Sequence, residues 1–458
     1  MANTQVKTGQ KVQLYIKKLG INGEGIGYYK RLIIFVPKAL PGEKIVAKIT
    51  QANPKFAQAE LVRIDHKSKD RIQPPCHFYN HCGGCQLQHL NYKKQLDFKR
   101  DLLHQALVKY RPQGYQNYEL YPTLGMNDPW HYRNKAQFQL RYNYKLRKAE
   151  AGLYQPNSHQ LVAINDCLVQ EESTQMVINK LVELLNKYEI PIFNERKNTG
   201  VLKTLMVRVG IKTGELQVVF ITHTQNFPKK NILIREIKRR LPAVVSIMQN
   251  IQSSKSSQIF GEKTLLLWGK SAIKEQLKQL TFDLSARAFF QLNPKQTNVL
   301  YQEAIKALDL SSDERLIDAY CGVGTIGLSV ADKVKEIRGM DVIESAIDDA
   351  KENARKMGYD NTHYEVGKAE ELLPKWLAEG FKPDGIIVDP PRTGLDTNLL
   401  QTLVKDPPPK MVYISCNVST LAKDLKLLTK VFKVNYLQSV DMFPQTARCE
   451  VVTKLTRK

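Results

Sequence analysis

The sequence predicts a multidomain α/β protein. Short alternating strands separated by Gly and Pro turns fill residues 1–64, a pattern typical of a small β-barrel. Residues 65–285 combine cysteine-bearing loops with strands and helices, which predicts an α+β domain. From 286 to 458, apolar runs alternate with helical stretches, the rhythm of a Rossmann-like, doubly wound parallel sheet. We therefore expect three domains with these boundaries.

The charge balance indicates a polyanionic partner. The 458 residues include 68 Lys and Arg against 45 Asp and Glu, a net charge of +23, and phosphate contacts would release counterions from nucleic acid. No apolar run is long enough to span a membrane, and residues 1–10 lack a signal-peptide core. We expect a cytoplasmic protein without membrane association. In such a protein the seven cysteines favour metal ligation or catalysis over disulfides.

The first segment has the features of a nucleic-acid-binding barrel. Residues 12–16 and 44–49 alternate apolar with polar side chains, and the glycine-dense stretch 20–27 predicts a hairpin. Its Gly-x-Gly-x-Gly pattern, followed by Phe35-Val36-Pro37 and Leu40-Pro41-Gly42-Glu43, resembles a TRAM domain. The resemblance implies an OB-like barrel of the kind found on RNA-modifying enzymes.

In the central segment, leucines at helical spacing predict a helix at about 91–110, which we expect to pack on the C-terminal domain. Residues 136–142 and 205–221 are predicted to be rich in strand, and 174–188 predicts an amphipathic helix.

A glycine-rich turn marks a cofactor site in the last segment. An apolar strand at 315–319 runs into Gly322 and Gly324, where the backbone can turn sharply and approach a ligand, and a helix is predicted from Thr325. Asp341 closes the next strand, where a carboxylate can bond a ribose hydroxyl. This pattern alone fits NAD as well as S-adenosyl-L-methionine (SAM).

Two further motifs favour SAM. Asp318-Ala319-Tyr320-Cys321-Gly322 resembles the first motif of SAM-dependent methyltransferases. Asp389-Pro390-Pro391-Arg392 resembles their Asp-Pro-Pro motif after the fourth strand, although Asp-Pro-Pro can also be a simple turn that stops a strand.

Cys416 is a candidate nucleophile. It follows the apolar strand 411–415, at the edge of an open α/β sheet where ligands bind, although most free cysteines are buried and structural. Methylation of uracil C5 needs a thiolate that adds to C6 and a base that removes the C5 proton. Glu450 is the candidate base. The alternative interpretation is that Glu450 is an ordinary surface glutamate. Cys321 and Cys449 are rival thiols, but Cys321, in the glycine turn, is expected to face the cofactor, and Cys449 lacks a strand-end setting.

Together, several motifs resemble the RumA/TrmA group of RNA uracil-5-methyltransferases: Phe289-Phe290-Gln291-Leu292-Asn293, Asp389-Pro390-Pro391-Arg392, Ser415-Cys416-Asn417, Phe443-Pro444-Gln445-Thr446 and Glu450-Val451-Val452. The resemblance implies that Cys416 is the nucleophile and Glu450 the proton acceptor. It also implies SAM contacts for a set of cleft residues: Gln291, Tyr320, Gly322, Gly324, Asp341 and Asp389. Arg133 resembles a family arginine near the target base. Val418 stands where the family usually has proline, and Asp341 stands where glutamate is commoner. Neither difference removes a reactive group.

Four cysteines form a candidate metal centre. Cys76, Cys82 and Cys85 cluster, and Cys167 lies far downstream. Four thiolates can hold a [4Fe–4S] cluster or zinc. The spacing and the adjoining Gly-Gly resemble the iron–sulfur site of the RumA branch, and we expect the cluster to shape the RNA-binding domain without redox chemistry.

The resemblance to the RumA branch implies methylation of uracil C5 in 23S ribosomal RNA to 5-methyluridine. We expect a monomer, with the target uridine flipped out of its loop. Candidate backbone contacts are Lys17, Lys18, Lys30, Arg31 and Arg133. A transfer-RNA uracil methyltransferase is the alternative with the same chemistry. An RNA-binding or assembly protein with an inactive methyltransferase domain is the alternative of another class. A radical methylthiotransferase is a third, against which the cysteine spacing argues.

Overall fold

The computed structural model describes residues 6–254 and 258–458. Five strands form an N-terminal closed barrel in the order β1-β2-β3-β5-β4: β1 (Lys11–Leu19), β2 (Gly25–Tyr29), β3 (Leu32–Val36), β4 (Lys44–Ala52) and β5 (Phe56–His66). Val12, Leu14 and Ile16 point into the barrel core while the residues between them are exposed. The predicted barrel is confirmed.

The helix predicted at 91–110 is α1 (Tyr92–Tyr110), and it is followed by β6 (Glu119–Leu124). The Asn91 side chain caps α1 by accepting a hydrogen bond of 3.0 Å from the Lys93 amide. The buried leucines of α1 belong to the core of the C-terminal domain, and β6 is an edge strand of that domain's sheet. Residues 92–124 therefore lie with the C-terminal domain, although they precede the central sheet in sequence.

A seven-stranded sheet with two helices forms the centre of the protein. Its elements are β7 (Lys135–Asn143), β8 (Lys148–Tyr154), β9 (Leu161–Ala163), α2 (Glu172–Lys187), β10 (Leu202–Val209), β11 (Leu216–Thr222), α3 (Lys230–Arg240), β12 (Val244–Ile251) and β13 (Lys263–Gly269). The strand order is β13-β12-β11-β10-β7-β8-β9, and all neighbours are antiparallel except β11 and β12, which α3 connects. Ala136, Phe138 and Leu140 pack beneath α2, whereas alternate residues of β7 lie on the opposite face.

A hairpin of β14 (Ala272–Leu277) and β15 (Leu280–Ser285) leads into the C-terminal domain. The domain contains α4 (Pro294–Leu308), β16 (Arg315–Ala319), α5 (Thr325–Leu328), β17 (Glu336–Asp341), α6 (Glu344–Met357), β18 (Thr362–Val366), α7 (Ala369–Ala378), β19 (Gly385–Val388), α8 (Thr397–Lys405), β20 (Lys410–Ser415), α9 (Val418–Leu428), β21 (Phe432–Val440) and β22 (Glu450–Arg457).

The C-terminal sheet has the order β18-β17-β16-β19-β20-β22-β21-β6. Strands β16 to β20 are parallel, as predicted, but β22 returns antiparallel between β20 and β21. Met411 and Tyr413 face one hydrophobic core, and Val412 and Ile414 face the other. Helices cover both faces, so ligands have access only at the strand ends. Within the described ranges, no helix is long and apolar enough to cross a membrane. The exact boundaries predicted for the three domains stay predictions.

Candidate active site

The turn after β16 forms a cradle at the carboxyl edge of the sheet. Tyr320, Gly322 and Gly324 all have positive φ, at 66°, 55° and 78°. The Gly322 amide donates a hydrogen bond of 3.0 Å to Asp341 Oδ2 at the end of β17. A Cβ at Gly322 would meet no atom within 4 Å, so space lies open above the turn. The turn and Asp341 thus fit the ribose end of a nucleoside cofactor.

Two apolar side chains beside Asp341 extend this cradle. Val342 is 63 % exposed and Ile343 is 45 % exposed, and the Ile343 amide donates to Asp341 Oδ1 at 2.9 Å. An exposed apolar pair next to a ribose-binding carboxylate can cover the face of a flat ring. These two residues were not predicted from the sequence to belong to the cofactor site. The available signal was their position, as two apolar residues directly after an aspartate that ends a strand.

Acidic groups line the floor of the cleft. Asp318 Oδ2 accepts a hydrogen bond of 2.8 Å from the Gly327 amide, which fixes the start of α5. Burial, helped by nearby Asp389 and Asp341 and opposed by the Gly327 hydrogen bond, raises the pKa of Asp318 to about 7. Burial also raises the pKa of Asp389 to about 7. A cationic ligand would therefore be favoured in this cleft.

Cys416 lies between the end of β20 and the start of α9. Asn417 holds this junction, because its Oδ1 accepts from the Ser419 amide at 3.1 Å and its Nδ2 donates to the Arg392 carbonyl at 2.9 Å. The loop after the Asp-Pro-Pro motif is thereby joined to the loop that carries the thiol.

Glu450 lies across from Cys416 where strands β20 and β22 pair. Strands β20 and β22 pair antiparallel with Ser415 opposite Val451, so the next pair outward is Cys416 and Glu450. Glu450 is only 6 % exposed. Burial raises its pKa well above the ordinary range, Asp389 raises it further, and Arg392 opposes both effects.

Two arginines accompany the thiol. Burial, followed by Glu450 and Asp389, raises the pKa of Cys416 to about 11, and Arg392 lowers it. Arg448 lines the same small cavity as Cys416 and Arg392. The thiol is therefore protonated before substrate binds, and the arginines are the nearby groups that favour the thiolate. Neither arginine was predicted from the sequence to have a role. Arg392 follows Asp-Pro-Pro directly and Arg448 lies two residues before Glu450, and these positions were the available signal.

The other two domains reach this cleft. Ile21 and Asn22, in the barrel hairpin, line the cavity beside Cys416. Asn134 donates from its amide to the Leu292 carbonyl at 2.9 Å, and from Nδ2 to the Gln291 carbonyl at 3.4 Å. Asn134, next to Arg133 in the chain, therefore joins the central domain to the segment of the C-terminal domain that carries Gln291.

The predicted barrel contacts Lys17, Lys18, Lys30 and Arg31 are all exposed. Lys17 lies 5.2 Å from the ring centroid of Tyr28, and Lys30 lies 5.9 Å from that of Tyr29. These pairs present charge and aromatic surface together.

The four clustered cysteines lie together without disulfides: Cys76, Cys82, Cys85 and Cys167. Burial raises the pKa of Cys82 to about 11 and that of Cys85 to about 12, and the neighbouring thiols of the set raise both further. In the described parts of the chain, no three His, Cys, Asp or Glu side chains stand close enough to hold a metal ion. The rivals Cys321 and Cys449 are buried.

The cysteine segment contacts the loop that precedes Glu450. The Gln445 carbonyl accepts hydrogen bonds of 3.0 Å from the amides of Gln86 and Leu87. Gln95 and Gln445 also bond reciprocally, at 3.0 and 3.1 Å. These contacts link the cysteine segment and α1 to the loop leading to β22.

Known proteins resemble the chain along its whole length. A sequence profile described as "tRNA (Uracil-5-)-methyltransferase" matches residues 91–458, and one described as "TRAM domain" matches residues 5–62. An "uncharacterized RNA methyltransferase" of Enterococcus faecalis is 64% identical over 458 residues, 100% of both chains. One of Listeria innocua is 53% identical over 458 residues, also 100% of both chains.

A solved structure is similar as well. The tRNA (uracil-54, C5)-methyltransferase of Pyrococcus abyssi, in complex with S-adenosyl-L-homocysteine, has a TM-score of 0.77 at 27% identity and covers 97% of this chain and 100% of its own. The first profile spans most of the chain, and the bacterial relatives align from end to end. The protein therefore belongs to the tRNA (uracil-5-)-methyltransferase family, as a SAM-dependent RNA methyltransferase with an N-terminal TRAM domain.

Proposed function

We propose that the protein methylates C5 of a uracil in 23S ribosomal RNA, with Cys416 as nucleophile and Glu450 as proton acceptor. One observation carries this proposal. The Cys416 thiol and the buried Glu450 carboxyl lie across from each other on paired strands, at the same edge of the sheet as the turn proposed to hold the cofactor. The reaction needs this combination, since one group must add to C6 and another must remove the proton from C5.

The Cys416 thiol first loses its proton to solvent. The thiolate then forms a bond to C6 of the flipped uracil, and the electron pair of the C5–C6 double bond moves into an enolate. SAM would supply an electrophilic methyl group on a sulfonium and would leave as S-adenosylhomocysteine, and its positive charge would favour the ionised forms of the nearby acids. After C5 is methylated, Glu450 takes the C5 proton, the double bond forms again and the thiolate leaves.

The neighbouring residues prepare the two groups. Arg392 favours both the thiolate of Cys416 and the carboxylate of Glu450. Because burial gives Glu450 a high pKa, its carboxylate is a strong base once ionised. Gln291, Tyr320, Gly322, Gly324, Asp341 and Asp389 are proposed to hold the cofactor, and Arg133 to contact the target base.

Replacement of the nucleophile tests the mechanism. Cys416→Ala should abolish 5-methyluridine formation, measured by mass spectrometry of digested RNA, while binding of S-adenosylhomocysteine is retained. Cys449→Ala is the matched control, because Cys449 is a buried thiol next to Glu450 that has no role in the proposal. Normal 5-methyluridine formation by Cys416→Ala would overturn the mechanism.

We also propose that Cys76, Cys82, Cys85 and Cys167 hold a [4Fe–4S] cluster that supports the RNA-binding region. Their mutual proximity supports this. Anaerobic reconstitution should give four irons and four sulfides per chain and a visible charge-transfer band, both lost in Cys85→Ala. One bound zinc without sulfide would contradict the cluster.

A transfer-RNA substrate is the second candidate, because the similar Pyrococcus abyssi enzyme acts on uracil 54 of tRNA. The four-cysteine set, which resembles the ribosomal-RNA branch, favours 23S rRNA. Methylation of purified, unmodified 23S rRNA and tRNA in parallel separates the two. Incorporation into tRNA alone would assign the enzyme to the tRNA branch without affecting the mechanism.

A further inference from the structure

A groove rich in aromatic side chains lies at one end of the central sheet, away from the active site. It encloses about 820 Å³ and is lined by Tyr142, Tyr144, Tyr154, Phe193, Lys197 and Lys203, which we call the aromatic groove. None of these residues belongs to the site described above. The volume is within the range of small-ligand sites, so the groove has room for a nucleotide.

The three tyrosine rings of this groove are open to solvent, whereas Phe193 stacks on His223 with the ring centroids 4.3 Å apart. Tyr144 is 64 % exposed, and Tyr142 and Tyr154 are 38 % and 39 % exposed. Large exposed aromatic side chains in one place are unusual on a surface that binds nothing. The centroids of Tyr142 and Tyr144 are 5.1 Å apart at 73°, so their faces point in different directions.

Positive charge accompanies the rings. Lys197 lies 5.9 Å from the Tyr144 centroid, and Lys203 lies 5.4 Å from that of Phe193. Arg141 and Arg196 also line the groove, where Glu195 is the single acid. Within the described ranges, neither arginine nor either lysine forms a salt bridge. The groove therefore complements an anion that also carries flat rings.

Strand β7 connects the groove to the active site. Asn134 lies directly before its first residue, where it contacts Gln291 and follows Arg133 in the chain, and Arg141 lies near its other end in the groove. The strand has nine residues, which at about 3.4 Å each span roughly 30 Å. A chain that passes from the active site along this face would reach the groove several nucleotides from the target.

We propose that the aromatic groove binds unpaired nucleotides of the RNA substrate, at positions remote from the target uridine. The tyrosine rings stack on bases, and the lysines and arginines pair with the adjoining phosphates. Base stacking on aromatic side chains, combined with a basic lining, is how proteins hold single-stranded RNA. The proposal builds on the proposed RNA substrate and adds a second binding site to it.

Binding of a short, fluorescein-labelled oligoadenylate to the full chain tests the groove, measured by fluorescence anisotropy. The double variant Tyr142→Leu/Tyr144→Leu should bind roughly tenfold more weakly. Tyr144→Phe keeps the ring and should bind within about twofold of the wild type. Tyr121→Leu, at another tyrosine that is 38 % exposed but lies on the edge of the C-terminal sheet, is the matched control.

The outcomes separate this proposal from the proposed function. Unchanged oligoadenylate binding by the double variant would overturn the proposal that the groove binds RNA, whether or not the wild type makes 5-methyluridine. Equal weakening by Tyr121→Leu, or equal loss of binding to a blunt RNA duplex, would also overturn it, because stacking needs free bases. With ribosomal RNA, the double variant should raise KM and leave kcat unchanged. Should the double variant not fold, Lys197→Gln replaces it and should weaken binding and reduce its salt dependence.

Discussion

Replacing Glu450 by glutamine separates the two halves of the proposed reaction. Glu450 is 6 % exposed, and burial raises its pKa well above the ordinary range, which favours the uncharged carboxyl. Glutamine has nearly the same shape and is also uncharged. We therefore expect Glu450→Gln to change the free energy of unfolding by less than about 1 kcal/mol.

The chemical effect should be much larger. Glutamine cannot accept the C5 proton, and loss of a positioned base typically slows turnover by about 10²–10⁴-fold. Addition of Cys416 should persist, because Arg392, the cation that favours the thiolate, is unchanged in this variant. The methylated nucleotide should thus remain bound to Cys416, with close to one RNA per enzyme.

Denaturing gel electrophoresis with labelled RNA measures the adduct, and its mass after nuclease digestion identifies the methylated nucleotide on Cys416. The double variant Cys416→Ala/Glu450→Gln is the control and should give no adduct. Normal turnover by Glu450→Gln would refute the assignment of the base. A slow variant without any adduct would show that Glu450 is needed before the thiol adds.

Three further outcomes follow from the structure. Arg392→Gln should raise the pKa of Cys416 by about one unit, because a cation that favours the thiolate is lost. The single-turnover rate should then rise at a higher pH than in the wild type, and at neutral pH it should fall about tenfold. An unchanged pH profile would contradict this role of Arg392. Lys99→Met leaves buried Asp441 without its ion-pair partner and should lower the free energy of unfolding by about 3–5 kcal/mol in urea denaturation, and a loss below 1 kcal/mol would argue against the pair. Gly324→Ala adds a Cβ 2.8 Å from a tyrosine oxygen at a φ of 78°, so calorimetry should find weaker S-adenosylhomocysteine binding, and unaltered affinity would contradict the cradle.

Local pattern was sufficient for much of the cofactor site. The Tyr320–Gly324 turn, Asp341 and Asp389 all follow apolar strands, and parallel strands bring such ends to one edge. Cys416 could be located at that edge by the same reasoning. Helix α5 is only four residues long, which the sequence did not indicate, since the glycine turn predicts where a helix starts and not where it ends.

Glu450 was different, because no local feature distinguishes it from a surface glutamate. Its burial depends on β22 entering the sheet between β20 and β21, a pairing of segments far apart in the chain. Arg448, two residues earlier, reaches the cavity of Cys416 for the same reason. The resemblance to known enzymes identified Glu450, whereas composition and periodicity could not.

By itself, the sequence determined the chemistry that is available: a glycine turn and strand-end acids for a nucleoside, one strand-end thiol, four grouped cysteines and an excess of positive charge. The alternation of apolar and polar residues, together with the turn residues, was enough to predict the barrel strands and the parallel strands. Both patterns depend only on residues that are close in the chain. Only the tertiary structure decided which groups meet. It set Glu450 opposite Cys416, brought Arg392 and the barrel hairpin to the thiol, and gathered aromatic and basic side chains from separate loops into one groove. Those contacts depend on long-range strand pairing and burial, which no local pattern encodes.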